Sequence, residues 1–244
     1  EKQAVLDANM LSDTHNVFLG CFKKGPLLES LNKNVDLVLI RKDNYLLTSV
    51  RLAKIIKRNK IEVIHASLFA SMVTSVLASL FISKIIIVWH FHSHEYDLPA
   101  LNGNLYKWMS RFPGIKKILF VNNELRSFLT ERFKLPISKT GILYNTTSIK
   151  QPLKTKTEGD ECIIGYIGRL VELKRVNLLI GCAEYLLQKG FDNFQILIIG
   201  DGQERLNLEE LTKKNDLNKV VKFKGFQSDT ERYYNDMHVF ALPS

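Results

Sequence analysis

Gly165-Tyr-Ile-Gly-Arg-Leu-Val-Glu-Leu-Lys174 is the stretch of the chain that decides the fold. A short apolar run, Cys162–Ile167, ends at a glycine, and two cations, Arg169 and Lys174, precede a helical pattern that begins near Asn177. Many α/β proteins bind phosphate in this way, because glycine lets the backbone approach a ligand and a helix start attracts anions. The stretch predicts a phosphate pocket, and a solvated charged turn is the alternative.

Short apolar runs alternate with amphipathic helical patterns on both sides of this stretch. Such an alternation predicts α/β architecture with parallel sheets covered by helices on both faces. A polar segment, Tyr144–Asp160, separates two such series and has the composition of a linker. We therefore predict two α/β domains, residues 1–150 and 151–244, with ligands at the carboxyl ends of strands in a cleft between them.

The excess of basic charge is confined to the first domain. Residues 1–150 carry 21 Lys and Arg against 11 Asp and Glu, a formal charge of +10, whereas residues 151–244 carry 13 against 14, or −1. This asymmetry indicates an anionic partner, such as an anionic membrane surface, and a soluble domain with a basic face is the alternative. We expect no nucleic acid, because the basic residues lie on helices of an α/β domain and no recognition motif is present.

The cysteines and apolar runs are typical of a cytoplasmic protein. Cys21, Cys162 and Cys182 show no CxxC spacing, which favours reduced, buried thiols over a disulfide framework or a zinc site. No signal peptide is visible, and no apolar run approaches the ~18 residues of a membrane span. We expect the protein in the cytoplasm, with peripheral contact to the inner face of the cell membrane as an extension of the charge argument.

A second strand of the second domain also ends at a glycine. In the run Ile196–Ile199 the strand stops before Gly200, and Asp201 and Gly202 form the turn into the next helix. The dinucleotide fingerprint GxGxxG fails here, because Arg205 stands where its third glycine would be. We expect the turn to present backbone N–H groups to a ligand, and a simple glycine-assisted loop is the alternative.

A third strand, within Val220–Lys224, is followed by Gly225 and Phe226. An aromatic side chain after a glycine is in a position to flank a nucleotide base. Considered alone, however, this Phe is better explained as a core residue.

Taken in order, these segments resemble the donor-binding domain of the GT-B glycosyltransferases, in particular the large retaining family 4. The resemblance rests on GRLVELK, GDGQE, VKFKGF and YYNDMHVFALPS in this order over about 80 residues, and it extends more loosely to residues 1–150. It implies two Rossmann-like domains that face each other across a cleft. It also implies that a donor diphosphate contacts Arg169 and Lys174, and that the nucleotide lies near the backbone of Gly168, Gly200, Asp201, Gly202, Gly225 and Phe226.

The resemblance also implies acceptor-side residues in the first domain. His92 aligns best with the histidine that ends a strand in the family, and His90 and His94 are rivals. A neutral imidazole at a strand end can hydrogen-bond a sugar hydroxyl, whereas a metal site or a structural loop histidine are the alternatives. Asn122 stands where the family often has a serine, and Asn145 matches the asparagine that opens the interdomain hinge.

Both ends of the sequence resemble interior positions of the family pattern. Glu1 matches the last residue of a Gly-Gly-x-Glu turn, and two glutamates that read the donor sugar are expected beyond Ser244. We therefore expect the natural protein to be longer and the second domain to be incomplete here.

The function implied by the resemblance is transfer of a hexosyl group, with retention, from a nucleoside diphosphate sugar to a hydroxyl acceptor. The acceptor would be a saccharide or a lipid-linked sugar, as in bacterial surface polysaccharide or lipopolysaccharide synthesis. The catalytic residues would be Arg169, Lys174 and His92, and no cofactor is expected. No metal is expected either, because no Asp-x-Asp occurs to bridge one to the diphosphate. A sugar-nucleotide isomerase or epimerase of the same architecture and a non-catalytic GT-B scaffold are the alternatives.

Overall fold

The structure is a computed structural model that describes residues 2–92, 102–146 and 161–244. The chain divides into two compact units, Glu1–Thr147 and Ser148–Ser244, and the division falls inside the polar segment that sequence composition marks as a linker. Each unit contains parallel strands connected by helices. The predicted α/β class with parallel sheets is therefore confirmed, and each unit is described by itself.

The first unit contains a two-stranded sheet of β1 and β2 and a four-stranded sheet in the order β3-β4-β5-β6. Its strands are β1 (Val17–Cys21), β2 (Val35–Leu39), β3 (Val63–Ala66), β4 (Ile86–Phe91), β5 (Ile115–Phe120) and β6 (Thr140–Ile142). Its helices are α1 (Lys2–Leu11), α2 (Tyr45–Asn59), α3 (Phe69–Ser79), α4 (Asn102–Met109) and α5 (Asn123–Phe133). Strand β6 was not predicted, because a three-residue Thr-Gly-Ile strand leaves no periodic pattern.

Capping residues fix the ends of the basic helix α2. The Asn44 side chain accepts the N–H of Leu47, so the helix begins at Tyr45. It ends where Lys60 adopts the left-handed conformation, with φ at 53°. The inner face of the helix is buried and the lysines of the outer face are exposed, as the periodicity predicts.

The central strands of the four-stranded sheet carry the core of the first unit. Ile87 and Trp89 of β4 and Ile118 and Phe120 of β5 are completely buried. Strands that are covered on both faces read as nearly continuous apolar runs, which is why sequence alone locates them. The parallel order places the carboxyl ends of β3, β4, β5 and β6 along one edge of the sheet.

The second unit is a four-stranded parallel sheet in the order β10-β7-β8-β9. Its strands are β7 (Cys162–Ile167), β8 (Phe194–Ile199), β9 (Val221–Gly225) and β10 (Val239–Phe240). Its helices are α6 (Asn177–Gln188), α7 (Arg205–Lys214) and α8 (Glu231–Asp236). The predicted bounds of β7 and α6 are confirmed, whereas the 3₁₀ turn Glu172–Lys174 between them was not predicted.

Two expectations about compartment can be compared with the structure. None of the helices in the described ranges is both long enough and apolar enough to cross a bilayer. All three cysteines are free thiols, but the expectation that they are buried is wrong. Cys182 is exposed on α6, and Cys21 and Cys162 are partly exposed.

Candidate functional site

The loops at the carboxyl ends of β7, β8 and β9 are tied together by backbone hydrogen bonds. The N–H of Gly168, after β7, donates to the carbonyl of Ile199 at 3.0 Å. The N–H of Gly200, after β8, donates to the carbonyl of Gly225 at 2.8 Å. The three glycine segments that the sequence singled out therefore form one continuous edge of the second unit.

Two of these glycines are required by the packing of one loop on another. At Gly200, where φ is +140°, an added Cβ would lie 1.8 Å from the carbonyl oxygen of Gly168. At Gly202 it would lie 2.2 Å from the carbonyl oxygen of Leu170, which is buried. No side chain fits in either place, so the primary reason for these glycines is protein packing, not only the approach of a ligand.

Arg169 and Lys174 project from the segment that joins β7 to α6. The hydroxyl of Tyr166 donates to the Arg169 carbonyl at 2.9 Å and fixes the backbone there, while the Arg169 side chain is exposed. Lys174 is half-buried at the end of the 3₁₀ turn, and its ammonium donates to the hydroxyl of Ser244 at 3.3 Å. Within the described residues neither cation pairs with a carboxylate.

Asp201 and the turn around it are engaged within the protein. The carboxylate of Asp201 accepts the N–H of Gly202 at 2.8 Å and an N–H of the Arg205 guanidinium at 2.9 Å. These two hydrogen bonds, the one from Gly202 first, hold the pKa of Asp201 below its usual value. The N–H of Gly200 is also used, so these two N–H groups already donate within the protein, and contact of the turn with a ligand stays a prediction.

Arg205 is a site residue that sequence reasoning missed. Its guanidinium bridges Asp201 and Glu209, at 2.9 Å from each carboxylate, and lies beside Gly225, where an added Cβ would be 3.2 Å from it. Asp201 and Glu209 each lie four residues from Arg205, and residues at this spacing are neighbours on a helix. This spacing was the signal in the sequence from which the two ion pairs could have been predicted. Arg205 therefore braces the loops and is neutralised by two acids.

Phe226 leaves the sheet directly after Gly225, whose φ is +66°. The side chain of Phe226 is 51% exposed, so its interpretation as a core residue is wrong. An exposed aromatic ring at this edge is available to stack on a flat ligand group.

Three histidines form a stack at the carboxyl edge of the first unit. His65 in β3 lies 5.2 Å from His90 in β4, and His90 lies 4.0 Å from His92, measured between ring centroids. His90 is buried rather than in a loop, and its Nε2 lies 3.3 Å from the carbonyl of Leu143. Burial, followed by the neighbouring His92, lowers the pKa of His90 to about 4.

His92 lies just beyond β4 and is partly exposed. Its Nε2 is 3.2 Å from the hydroxyl of Ser67, and its Nδ1 is 3.1 Å from the side-chain oxygen of Asn145. The network joins the carboxyl ends of β3, β4 and β6. Both ring nitrogens are thus occupied, which the sequence could not indicate.

The remaining predicted acceptor-side residues have other positions. Asn122 caps α5, where its side-chain oxygen accepts the N–H of Leu125 at 2.7 Å. Glu1 and His94 lie outside the described residues. In the described ranges no three His, Cys, Asp or Glu side chains converge as a metal site requires.

Models of known protein families match both halves of the chain. Residues 10–150 match the family model Glycosyltransferase Family 4, and residues 148–244 match the model Glycosyl transferases group 1. The chain belongs to glycosyltransferase family 4. The order of motifs around Arg169, Asp201 and Gly225 is therefore that of a family 4 chain, and the resemblance seen in the sequence is confirmed at the level of the family.

Two curated relatives share part of the sequence. An uncharacterized glycosyltransferase of Haemophilus influenzae is 24% identical over 209 residues, which cover 84% of this chain and 56% of the relative. The capsular polysaccharide biosynthesis glycosyltransferase CapM of Staphylococcus aureus is 33% identical over 94 residues, which cover 36% of this chain and 23% of CapM. The family 4 chain thus spans little more than half the length of the first relative.

The fold has a close counterpart among solved structures. Anabaena Alr3699/HepE, in complex with UDP and glucose, matches with a TM-score of 0.78 over 99% of this chain and 70% of its own, at 16% sequence identity. At that identity the likeness shows the fold alone. The predicted GT-B class, with two Rossmann-like domains, is confirmed.

Proposed function

We propose that this family 4 protein is a retaining glycosyltransferase that moves a hexosyl group from a nucleoside diphosphate sugar to a hydroxyl acceptor. The observation that carries the proposal is the edge formed by the β7, β8 and β9 loops. There the exposed cation Arg169, the half-buried Lys174 and the exposed ring of Phe226 lie on glycine loops held by backbone bonds. Each of these three side chains has a chemical counterpart in a sugar nucleotide.

Arg169 and Lys174 would hold the donor diphosphate. Arginine binds phosphate oxygens with a planar fork and lysine with a point charge, so the pair complements two adjacent phosphates. Neither cation is neutralised by a carboxylate in the described part of the chain, unlike Arg205 at the same edge. Their full charge would therefore act on the negative charge that develops on the leaving diphosphate, which is electrostatic catalysis.

Phe226 would contact the base of the nucleotide. An exposed aromatic side chain gains stability by stacking on a flat heterocycle, and the left-handed backbone at Gly225 directs the chain out of the sheet just before it. The loops at Gly168 and Gly200–Gly202 would then form the floor of the nucleotide site.

We further propose a front-face reaction with retention that needs neither metal nor cofactor. The sequence has no Asp-x-Asp to bridge a metal to the diphosphate, and two cations are available to take that role. The leaving phosphate would assist removal of the proton from the acceptor hydroxyl as the new glycosidic bond forms. His92 would bind a sugar hydroxyl at the acceptor-side edge.

Membership of family 4 and the similarity to these relatives favour glycosyl transfer over the alternative functions. HepE has been crystallised with UDP and glucose, and CapM acts in capsular polysaccharide biosynthesis. We extend both properties to this protein as a sugar-nucleotide donor and a saccharide or lipid-linked acceptor in surface polysaccharide or lipopolysaccharide synthesis. A sugar-nucleotide isomerase or epimerase and a non-catalytic scaffold are disfavoured by the family.

The experiment screens UDP-, GDP- and ADP-sugars against the full-length protein. A true donor raises the unfolding temperature, because a ligand that binds only the folded state stabilises it. Incubation of that donor with a saccharide acceptor should release the nucleoside diphosphate and yield an α- or β-linkage that retains the donor configuration. Epimerised donor without acceptor, or no stabilisation by any of the sugars, would contradict the proposal.

The exposed basic surface of the first unit would rest on the cytoplasmic face of an anionic membrane. Its exposed centre is Trp108, 78% exposed at the end of α4. Four exposed lysines accompany it: Lys107, Lys116, Lys117 and Lys134. An exposed Trp among lysines is suited to the interface of an anionic bilayer.

Part of the basic charge nearby has a structural role instead. The guanidinium of Arg111 donates to the carbonyls of Lys107 and Lys134, and the ammonium of Lys139 donates to the carbonyls of Ser110 and Phe112. Both therefore satisfy the carbonyls of helix and turn ends. They are poor choices as membrane-contact variants, because their loss would disturb the fold.

The location of the basic surface within the first unit constrains the acceptor. Helices α4 and α5 end near the amino ends of β5 and β6, whereas the histidine stack lies at the carboxyl ends of β3 and β4. A strand of six residues spans roughly 20 Å. The reacting hydroxyl of a membrane-bound acceptor would then stand away from the bilayer.

Vesicle sedimentation tests the membrane contact. The protein should bind vesicles that contain phosphatidylglycerol but not pure phosphatidylcholine, and 0.5 M salt should release it, since a Debye length of about 4 Å then screens the lysines. Trp108→Ala and Lys107→Ala should each weaken binding, while Lys213→Ala on α7 should not. Binding that salt does not change would contradict an electrostatic contact.

A further inference from the structure

His92 is held at both ring nitrogens by groups whose chemistry differs. Nδ1 faces the side-chain oxygen of Asn145. With the amide in this orientation the oxygen can only accept, so a hydrogen bond here requires a proton on Nδ1. In a neutral imidazole Nε2 is then without a proton and accepts the hydroxyl hydrogen of Ser67. The contacts thus select one tautomer, with Nε2 as a hydrogen-bond acceptor.

The ring plane of His92 is fixed from its inner side. His90 packs against it at 4.0 Å between centroids, and His65 packs against His90 at 5.2 Å with nearly parallel rings. His90 is 1% exposed and its Nδ1 has no hydrogen-bond partner among the described residues. A buried ring of this kind disfavours a positive charge on itself.

The backbone next to Ser67 is strained in a way that supports this arrangement. Leu68 has φ at +92°, although its side chain is branched and 63% exposed and therefore gains little from burial there. Such outliers persist only where the surroundings demand them, and they concentrate at functional sites. Leu68 directly follows Ser67, whose hydroxyl lies 3.2 Å from Nε2 of His92.

We propose that Asn145 and the pair His65–His90 are positioning residues that present His92 as a neutral imidazole with Nε2 as the acceptor for a substrate hydroxyl. The Ser67 hydroxyl occupies the place that a sugar hydroxyl takes when it donates to Nε2. This inference rests on the proposed function for the identity of that hydroxyl. The tautomer itself follows from the contacts of His92 alone.

The direct test is NMR of the histidine side chains in full-length protein with labelled histidine, at pH 8. The nitrogen chemical shifts and ring couplings distinguish the two neutral tautomers and the imidazolium, and His92→Asn assigns the signal. Wild-type His92 should show the Nδ1–H tautomer, and Asn145→Ala should shift it toward the Nε2–H form. An Nε2–H tautomer in the wild type, or no change in Asn145→Ala, would overturn the proposal.

A kinetic test separates positioning from folding. Asn145→Ala should lower kcat/KM of transfer about ten-fold, whereas Asn145→Asp, which keeps an oxygen acceptor at Nδ1, should restore most of the activity at pH 8. Asn104→Ala, an exposed asparagine on α4, is the matched control and should leave the rate unchanged. UDP affinity should be equal in all three variants, and equal loss in Asn145→Asp and Asn145→Ala would overturn the positioning role.

The two tests also separate this inference from the proposed function. If the tautomer is as expected but no sugar nucleotide is used, the transferase proposal fails while the assignment of Nε2 as acceptor stands. If transfer occurs but the tautomer is the other one, only the present inference fails.

Discussion

The carboxyl edges of the two four-stranded sheets are built by different means. In the second unit, backbone hydrogen bonds and tightly packed glycines fix the loops after β7, β8 and β9, and the cation Arg169 is left exposed. In the first unit, the edge that carries His65, His90 and His92 (the histidine edge) is held by side chains, and both nitrogens of His92 have hydrogen-bond partners. The difference teaches that the edge formed by the β7, β8 and β9 loops (the proposed donor edge) has an organised backbone and an exposed cation, whereas at the histidine edge the side chains themselves are already held.

The comparison predicts that a small change of backbone at the donor edge has the largest effect. Gly200→Ala would place a Cβ within 1.8 Å of a backbone oxygen and at a φ of +140°, so the second unit should lose on the order of 3 kcal/mol or more of its free energy of unfolding. Urea denaturation measures this loss in the free energy of unfolding. Gly181→Ala on α6, where a Cβ meets nothing within 4 Å, should instead stabilise by up to ~1 kcal/mol.

The stability of the first unit should depend on pH through the buried His90. Because the folded-state pKa of His90 is about 4, below the ordinary ~6.5, the unfolded chain binds the extra proton between these values and stability falls as pH decreases from about 6.5 to 4. We expect a loss of about 3 kcal/mol across this window. His90→Phe should flatten the pH dependence of the unfolding midpoint in that range, and an unchanged slope would contradict the assignment.

Relief of the backbone strain at Leu68 should change the activity without lowering the stability of the protein. Leu68→Gly removes a leucine from a φ of +92°, where its side chain is largely exposed, and should stabilise the protein or leave it unchanged within about 1 kcal/mol. It should nevertheless lower kcat of transfer several-fold, because the turn that ends β3 beside His92 is then less firmly fixed. Thermal unfolding measures the effect on stability, and steady-state kinetics of the same preparation measure the effect on kcat. An unchanged kcat would argue against a role for the strained turn.

The smallest effect is expected at the exposed ring of the donor edge. Phe226→Ala should weaken binding of UDP roughly five-fold, in line with the ~1 kcal/mol of one aromatic stack, without changing the free energy of unfolding, because the ring is half-exposed. Isothermal titration calorimetry measures the first and urea denaturation the second. A loss of stability equal to that of a core phenylalanine would show that the ring packs inside the protein.

The donor edge could be predicted from sequence because its determinants are local. Strand β7 and helix α6 leave strong periodic patterns, and the glycines mark the strand ends. What local reasoning did not reveal is that the N–H of Gly200 donates to Gly225, 25 positions away, and that the N–H of Gly202 donates to the neighbouring Asp201 side chain. Considered alone, Phe226 was also predicted to lie in the core, because the position of an aromatic residue after a strand does not indicate whether its side chain is exposed.

The histidine edge could be predicted only in part, because its contacts join distant residues. The sequence indicated that a histidine near the end of β4 is functional, but it placed His90 in a loop rather than in the buried strand. Asn145 lies 53 positions from His92, and Ser67 lies 25 positions from it. Only the order of strands in the sheet brings them together, and periodicity does not determine that order.

The central claim, that Arg169 and Lys174 clamp a diphosphate, is tested most directly by comparing the Kd of UDP with that of UMP, with GDP/GMP and ADP/AMP as parallel pairs. Wild-type protein should bind the preferred diphosphate at least ten-fold more tightly than its monophosphate. In the double variant Arg169→Ala/Lys174→Ala this ratio should fall to about one, whereas Lys213→Ala should keep it. A ratio that survives in the double variant would contradict the account.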